Sequence, residues 1–105
     1  MRILLVCALG MSTSLLVRKM TEYADQAGIA DMYIEARPIS EVRDLVKDFD
    51  AVLLGPQVRF QEGSVRDIIH GAGLEYAIIP TIVYGRLDAK SAVELAISVA
   101  EKKKV

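Results

Sequence analysis

Four strand-length segments, each followed by apolar residues at helical spacing, constrain this chain more tightly than any other feature of its sequence. RILLVC (Arg2–Cys7) and DAVLLG (Asp50–Gly55) are almost continuously apolar, the pattern of strands covered on both faces. DMYIEAR (Asp31–Arg37) instead alternates Met32, Ile34 and Ala36 with Tyr33 and Glu35, and Pro38 ends it. EYAII (Glu75–Ile79) is a further strand, stopped by Pro80. Between these runs the period changes. Leu16, Met20, Tyr23, Ala24 and Ala27 share one helical face, with Ser12 or Thr13 placed as N-cap and Gly28 just past the C-terminus. Ser40 caps a short helix to Lys47 that turns Val42, Leu45 and Val46 inward. After a turn at Gly55–Gln57 comes a helix with Val65, Ile68, Ile69 and Ala72 inward. A loop through Tyr84 and Gly85 leads to a last helix, capped by Asp88, that buries Val93, Leu95, Ala96, Val99 and Ala100.

Alternation of this kind predicts an α/β fold: a four-stranded parallel sheet of order 2-1-3-4, helices on both faces, joined by right-handed crossovers. In such sheets ligands bind beyond the carboxyl ends of the strands, where the strand order reverses. With this order the crevice lies between strands one and three, and Cys7–Thr13 and Gly55–Gln57 both fall there. At 105 residues the chain makes one domain (1–105). A net charge of −1 gives no field that recruits nucleic acid, and the terminal EKKKV is a solubilising tail. The single cysteine forms no internal disulfide, which fits a reducing compartment. The apolar start is too short for a membrane span and is followed at once by Arg18, Lys19, Glu22 and Asp25, so a cytoplasmic protein is expected.

The first loop supplies the chemistry. Ala8 to Ser12 lead into a helix N-terminus, where inward N–H groups and the positive end of the helix dipole make an anion site. Ser12, Thr13 and Ser14 add hydroxyl donors, and Gly10 permits backbone angles that other residues resist. The same helix N-terminus favours the thiolate of Cys7. An activated sulfur and a cradle for a phosphoryl group attached to it therefore coincide. The alternative, a cysteine that merely ends a core strand, needs none of the adjoining GMSTS.

Three familiar loops are excluded. GxxxxGK[ST] is missing its second Gly and its Lys, and GxGxxG is absent. A cysteine-dependent tyrosine phosphatase carries C-x5-R, where the arginine clamps the transferring group; counted from Cys7, that position holds Thr13. Hydroxyls and amides stabilise the transition state less than a guanidinium does. A loop with the nucleophile and without the arginine is suited to hold a phosphoryl group rather than hydrolyse it. The enzymatic rival, a small phosphatase or arsenate reductase, is weakened by Thr13 and by the absence of resolving cysteines. A flavodoxin-like FMN protein is weakened by the lack of Trp and the few aromatics available to sandwich a flavin.

CALGMSTSLLVRKM, followed by VLLGPQVRF and VYGRLD in order and at the expected spacing, resembles the IIB component of the lactose/cellobiose (chitobiose) branch of the bacterial phosphoenolpyruvate-dependent sugar phosphotransferase system. The segment IIPTIVYG departs from that pattern, in which an acidic or polar residue follows the fourth strand. The resemblance covers nearly the whole chain. It implies a phosphorylated Cys7, a binding loop of Ala8, Leu9, Gly10, Met11, Ser12 and Thr13, a phosphohistidine IIA protein as donor and a membrane IIC sugar carrier as acceptor. It implies a phosphotransferase at the inner face of the membrane, acting as a monomer and needing neither metal nor organic cofactor.

Other residues have lesser expectations. Pro56 and Gln57 border the cysteine loop, Gln57 as a candidate hydrogen-bond partner of it. Tyr84 either edges the same face or packs its own loop. Leu9, Met11, Val58 and Phe60 are candidates for an apolar docking rim. His70, the only histidine, falls at the opposite sheet edge and makes no dyad with Cys7, and no ligand cluster has spacing usable for a metal. Arg18 lies more than a turn into its helix, on a solvated face.

Overall fold

The two most apolar segments become the two central strands. In a computed structural model that describes residues 1–8 and 11–102, with side chains for all of these except residues 11 and 12, β1 (Arg2–Cys7) and β3 (Ala51–Leu54) lie side by side and parallel. β2 (Tyr33–Pro38) pairs with the other side of β1 and β4 (Tyr76–Ile78) with β3, giving the order β2-β1-β3-β4 that the sequence predicts. Ile3 to Val6 and Ala51 to Leu54 are all 0% exposed, while the edge strands are only partly covered. That division is why the central strands carry unbroken apolar runs.

Alternate strand residues serve two cores. Ile3, Leu5, Ala51 and Leu53 meet α1 (Met11–Gln26) and α5 (Ala89–Lys102) through Leu16, Met20, Val93, Ala96 and Val99. Leu4, Val6, Val52 and Leu54 meet α2 (Val42–Leu45) and α3 (Glu62–Gly71) through Val42, Val46, Val65 and Ile69. Each such aliphatic side chain contributes about 1.5–3 kcal/mol when fully buried. Among the described residues, no helix is long and apolar enough to cross a membrane.

Several element bounds differ from expectation for local reasons. α1 starts at Met11, so Ser12 and Thr13 lie in its first turn rather than at its cap, and the cap falls outside the described residues. β2 starts later and takes in Pro38, which an edge strand tolerates because one side of it donates no ladder bond. The expected Ser40–Lys47 helix is one α-turn, α2, between 3-10 turns at Ile39–Glu41 and Val46–Asp48, with Pro38 rather than Ser40 at the cap position. The turn at Gly55–Gln57 extends as a 3-10 helix, Pro56–Gln61, that runs into α3. The expected loop at Tyr84 and Gly85 holds a short helix, α4 (Thr81–Gly85), started by Pro80.

Ala27 and Ala72, expected on buried faces, are exposed because both helices have already turned away. Gly28 and Gly73 take positive φ, and the N–H groups of Ile29 and Leu74 bond back to Ala24 and Ile69 at 2.9 and 3.1 Å, the paired-bond helix ending that favours glycine. Asp88 caps α5 as expected: its carboxylate accepts from the Ser91 N–H at 3.1 Å and the Ser91 hydroxyl at 2.7 Å.

Candidate functional site

Parallel pairing places all four strand ends at one edge, and the strand order reverses there between β1 and β3. The chain leaves β1 toward β2 across the α1 face, and reaches β3 from β2 across the α2 face. Cys7 is the last residue of β1 and α1 begins four residues later, at Met11. A helix of 16 residues thus opens beyond the end of the strand that carries the only thiol, with the unpaired N–H groups and positive dipole end of its first turn.

Cys7 itself is 6% exposed. Its thiol donates to the carbonyl of Arg37 on β2 at 3.6 Å, a partner that no local pattern in the sequence indicates. The contact follows from register, since Cys7 pairs with Pro38 and Val6 with Arg37. The Arg37 side chain is engaged elsewhere: its guanidinium bonds Glu35 and lies 3.4 Å from Glu41. The Tyr33 hydroxyl first, and then Arg37, hold the Glu35 carboxyl below the usual carboxylate range.

On the β3 side, Gly55 is the close approach. Its N–H donates to the Val6 carbonyl at 2.8 Å, and a Cβ on it would lie 3.3 Å from that oxygen and 2.6 Å from Gln57 Oε1. Gly55 thus ties the turn that carries Pro56 and Gln57 to the end of β1. Pro56, Gln57, Arg59, Phe60, Thr81, Tyr84 and Gly85 line an open cavity of about 320 Å³ between the turn after β3 and α4. The sequence concealed the α4 part of this wall because five residues show no helical period.

The expected apolar rim is partly corrected. Phe60 is 86% exposed, with the Arg59 guanidinium 5.0 Å from its ring centroid. Val58 is fully buried in the α2–α3 core, since a tight 3-10 turn folds it beneath the chain while its neighbours stay outside. Leu9, Gly10 and the side chains of Met11 and Ser12 lie outside the described residues, so expectations for them are not addressed by the geometry; Ala8 is exposed.

Thr13 has an unexpected setting. It is 1% exposed, and its hydroxyl lies 2.7 Å from the hydroxyl of Tyr84, which is 8% exposed. Tyr84 thus lines the open cavity while its hydroxyl reaches across to α1. His70 sits where the sequence placed it, away from Cys7, with Nε2 3.0 Å from Glu75 and its ring against Tyr76, which is level with Val52 of β3. Among the described residues no group of His, Cys, Asp or Glu is arranged to hold a metal ion. What the edge can do chemically is present one sulfur to an anion under a helix N-terminus.

Comparison with known proteins agrees with this architecture. Residues 2–95 match the family model described as PTS system, Lactose/Cellobiose specific IIB subunit. The oligo-beta-mannoside-specific EIIB component of Bacillus subtilis (strain 168) is 38% identical over 97 residues, 92% of this chain and 93% of that one. The galactose-specific EIIB component of Lactococcus lactis subsp. cremoris is 38% identical over 90 residues, 81% of this chain and 82% of that one. Among solved structures, the cellobiose-specific phosphotransferase IIB component of Borrelia burgdorferi superposes with a TM-score of 0.82 at 40% identity, covering 98% of this chain and 94% of the other.

Proposed function

The chain belongs to the lactose/cellobiose-specific IIB family of the phosphotransferase system, a family of phosphotransferases, and we propose that Cys7 is the group on which its phosphoryl cargo travels. The observation that carries this reading is the chain's only thiol at the last residue of β1, four residues before the start of α1. The thiol leaves its bond to the Arg37 carbonyl and loses its proton to solvent. The thiolate then attacks the phosphorus of a phosphohistidine on a IIA partner in line, forming the S–P bond as the P–N bond breaks and the imidazole leaves. The backbone N–H groups of Ala8 to Thr13 and the Ser12 hydroxyl hold the resulting dianion. A hydroxyl of a sugar bound by the membrane IIC component next attacks the phosphorus and gives up its proton to solvent, as the S–P bond breaks and Cys7 departs as thiolate.

Position 13 supports a carrier rather than a phosphatase. Its side chain is a buried hydroxyl committed to Tyr84, so this position brings no guanidinium to clamp the phosphoryl group for attack by water. The sugar belongs to the cellobiose, lactose or chitobiose class, and IIC rather than this chain selects it. The protein works in the cytoplasm and docks transiently at the inner face of the membrane. Pro56, Gln57, Phe60 and Tyr84 border the surface on which partners dock.

The test is intact mass after incubation with phosphoenolpyruvate, the general phosphotransferase components and a cognate IIA. A gain of one phosphoryl group that maps to Cys7 and vanishes in Cys7→Ala is expected. Modification at any other residue, or a gain that persists in Cys7→Ala, overturns the mechanism.

A further inference from the structure

Apart from Cys7 and Tyr84 themselves, Thr13 is the only polar residue fully buried among the described residues, and it stands in the first turn of the helix that opens beyond Cys7. A buried hydroxyl without a partner costs about 1–3 kcal/mol, yet replacing both members of a pair by apolar groups of the same shape is nearly neutral. A valine and a phenylalanine would fill this space about as stably as Thr13 and Tyr84 do. Stability therefore does not account for the pair. A hydrogen bond adds what apolar contact lacks, namely a fixed distance and direction between the two groups.

The element presenting Tyr84 is itself held tightly. α4 spans only Thr81–Gly85 and ends in a paired-bond turn, Leu87 N–H to the Tyr84 carbonyl at 3.2 Å and Asp88 N–H to the Val83 carbonyl at 3.0 Å. The residue at the left-handed position of that turn is Leu87, with φ of 53°, where helix endings of this kind favour glycine. A side chain there costs about 1–2 kcal/mol, offset by a Leu87 side chain packed against the α1–α5 core. The short helix is thus pinned at both ends, by Pro80 and by Leu87, with Tyr84 between them.

We propose that Tyr84 is a positioning residue for phosphoryl transfer at Cys7, fixing the first turn of α1 through its hydroxyl bond to Thr13. The inference rests on the carrier reading above and deepens it: the bond sets where the N–H groups at the start of α1 point when the phosphoryl group arrives. Misplacing such donors by a fraction of an ångström is enough to slow a reaction about tenfold.

Full-length wild type, Tyr84→Phe, Thr13→Val, Thr13→Ser and the double variant Tyr84→Phe/Thr13→Val are compared by thermal melting and by the initial rate of phosphoryl uptake over a range of phosphorylated IIA concentrations. Each of the two apolar single variants is expected to lose about tenfold in rate at saturating donor, with the half-saturating concentration unchanged. Thr13→Ser keeps the hydroxyl and is expected to keep the rate. The double variant is expected to regain thermal stability without regaining rate, a separation that a purely structural pair would not give. Recovery of rate together with stability in the double variant overturns the proposal, as does wild-type transfer by Tyr84→Phe. Should Tyr84→Phe fail to fold, Thr13→Val against Thr13→Ser decides: equal rates refute the positioning role, and loss in the valine variant alone supports it. A wild type that takes no phosphoryl group on Cys7 fails at an earlier step and removes the carrier reading itself.

Discussion

The two edges of the sheet use polar groups in opposite ways. At the amino edge they are outside and fasten chain to chain. The N-terminal amine donates to the Asp31 carbonyl at 2.8 Å, the Arg2 N–H to Asp50 at 2.7 Å and Arg2 Nε to the Asp48 carbonyl at 2.8 Å, while the Arg2 guanidinium covers Tyr33 and Phe49. The glycine turns that end α1 and α3 lie there too. At the carboxyl edge the arrangement is inverted. The hydroxyls of Thr13 and Tyr84 are buried against each other, the thiol is tucked against a backbone carbonyl, and Phe60 stands in solvent. Water-exposed polar contacts contribute little individually and can be exchanged. A bonded pair of buried hydroxyls adds little stability over apolar groups of the same shape, and an exposed aromatic ring adds little either, so we read the carboxyl edge as shaped by the proposed transfer and the amino edge by folding.

The hardest test of that contrast is Thr13→Arg. The charge would enter a site that is 1% exposed and displace the bond to Tyr84. A buried charge left without a partner costs about 3–5 kcal/mol, and each kcal/mol lowers the melting temperature of a domain this size by about 4–8 °C. A large fall in melting temperature is expected. A stable Thr13→Arg protein would show that the carboxyl edge is looser than its burial implies.

Next in size are Gly28→Ala and Gly73→Ala. Both positions have positive φ, and an added Cβ would meet nothing within 4 Å at either, so the cost is conformational alone, about 1–2 kcal/mol. Phosphoryl uptake is expected to stay at the wild-type rate, because neither glycine is near Cys7. Slower transfer in a folded Gly73→Ala variant would break the division of labour between the edges.

Phe60→Ala reverses the signature. At 86% exposure the ring contributes little to folding, so melting is expected to be unchanged. If Phe60 docks the IIA partner, the donor concentration for half-maximal uptake is expected to rise about fivefold, the loss that marks an energetically significant interface residue. An unchanged donor dependence would remove Phe60 from the docking rim.

The contrast between edges also explains what the sequence made legible. β1 and β3 could be read, and with them the strand order and the place of the crevice, because burial on both faces writes itself as an unbroken apolar run. The paired-bond end of α1 could be placed through Gly28, and the cap of α5 through Asp88, because each calls for a particular residue type at a particular position. Val58 could not be read. Next to Phe60 in a VRF run, nothing local separates the residue that folds under from the one left outside; only the 3-10 turn does. Tyr84 could not be read either, since its partner lies 71 residues away and α4 is too short to show a period. Cys7 stands out by the company it keeps in sequence, whereas its contact with Arg37 depends on the register of β2. Family resemblance supplied the donor and acceptor proteins, which no residue pattern in this chain encodes.

The smallest expected effect concerns a polar group at the carboxyl edge that serves folding. Asp88 caps α5, and the Ser91 hydroxyl and then the Ser91 N–H hold its carboxyl below the usual carboxylate range. A carboxylate depressed on folding contributes stability that is fully present above its unfolded value of about 3.9 and is lost as pH falls through the lower folded value. Asp88→Asn keeps a good capping side chain and removes only the charge. Wild type is therefore expected to melt slightly above Asp88→Asn at neutral pH, and the two curves to converge as pH drops below 4. Glu35, also held low, titrates in both proteins and cancels from the difference. The two proteins are melted in parallel from pH 7 down to acid, with phosphoryl uptake measured at neutral pH. A constant gap at all pH values would assign the cap to hydrogen-bond geometry rather than charge. A loss of transfer in Asp88→Asn without a change in melting would extend the reactive character of this edge to the start of α5, and so weaken the claim that Asp88 belongs to folding alone.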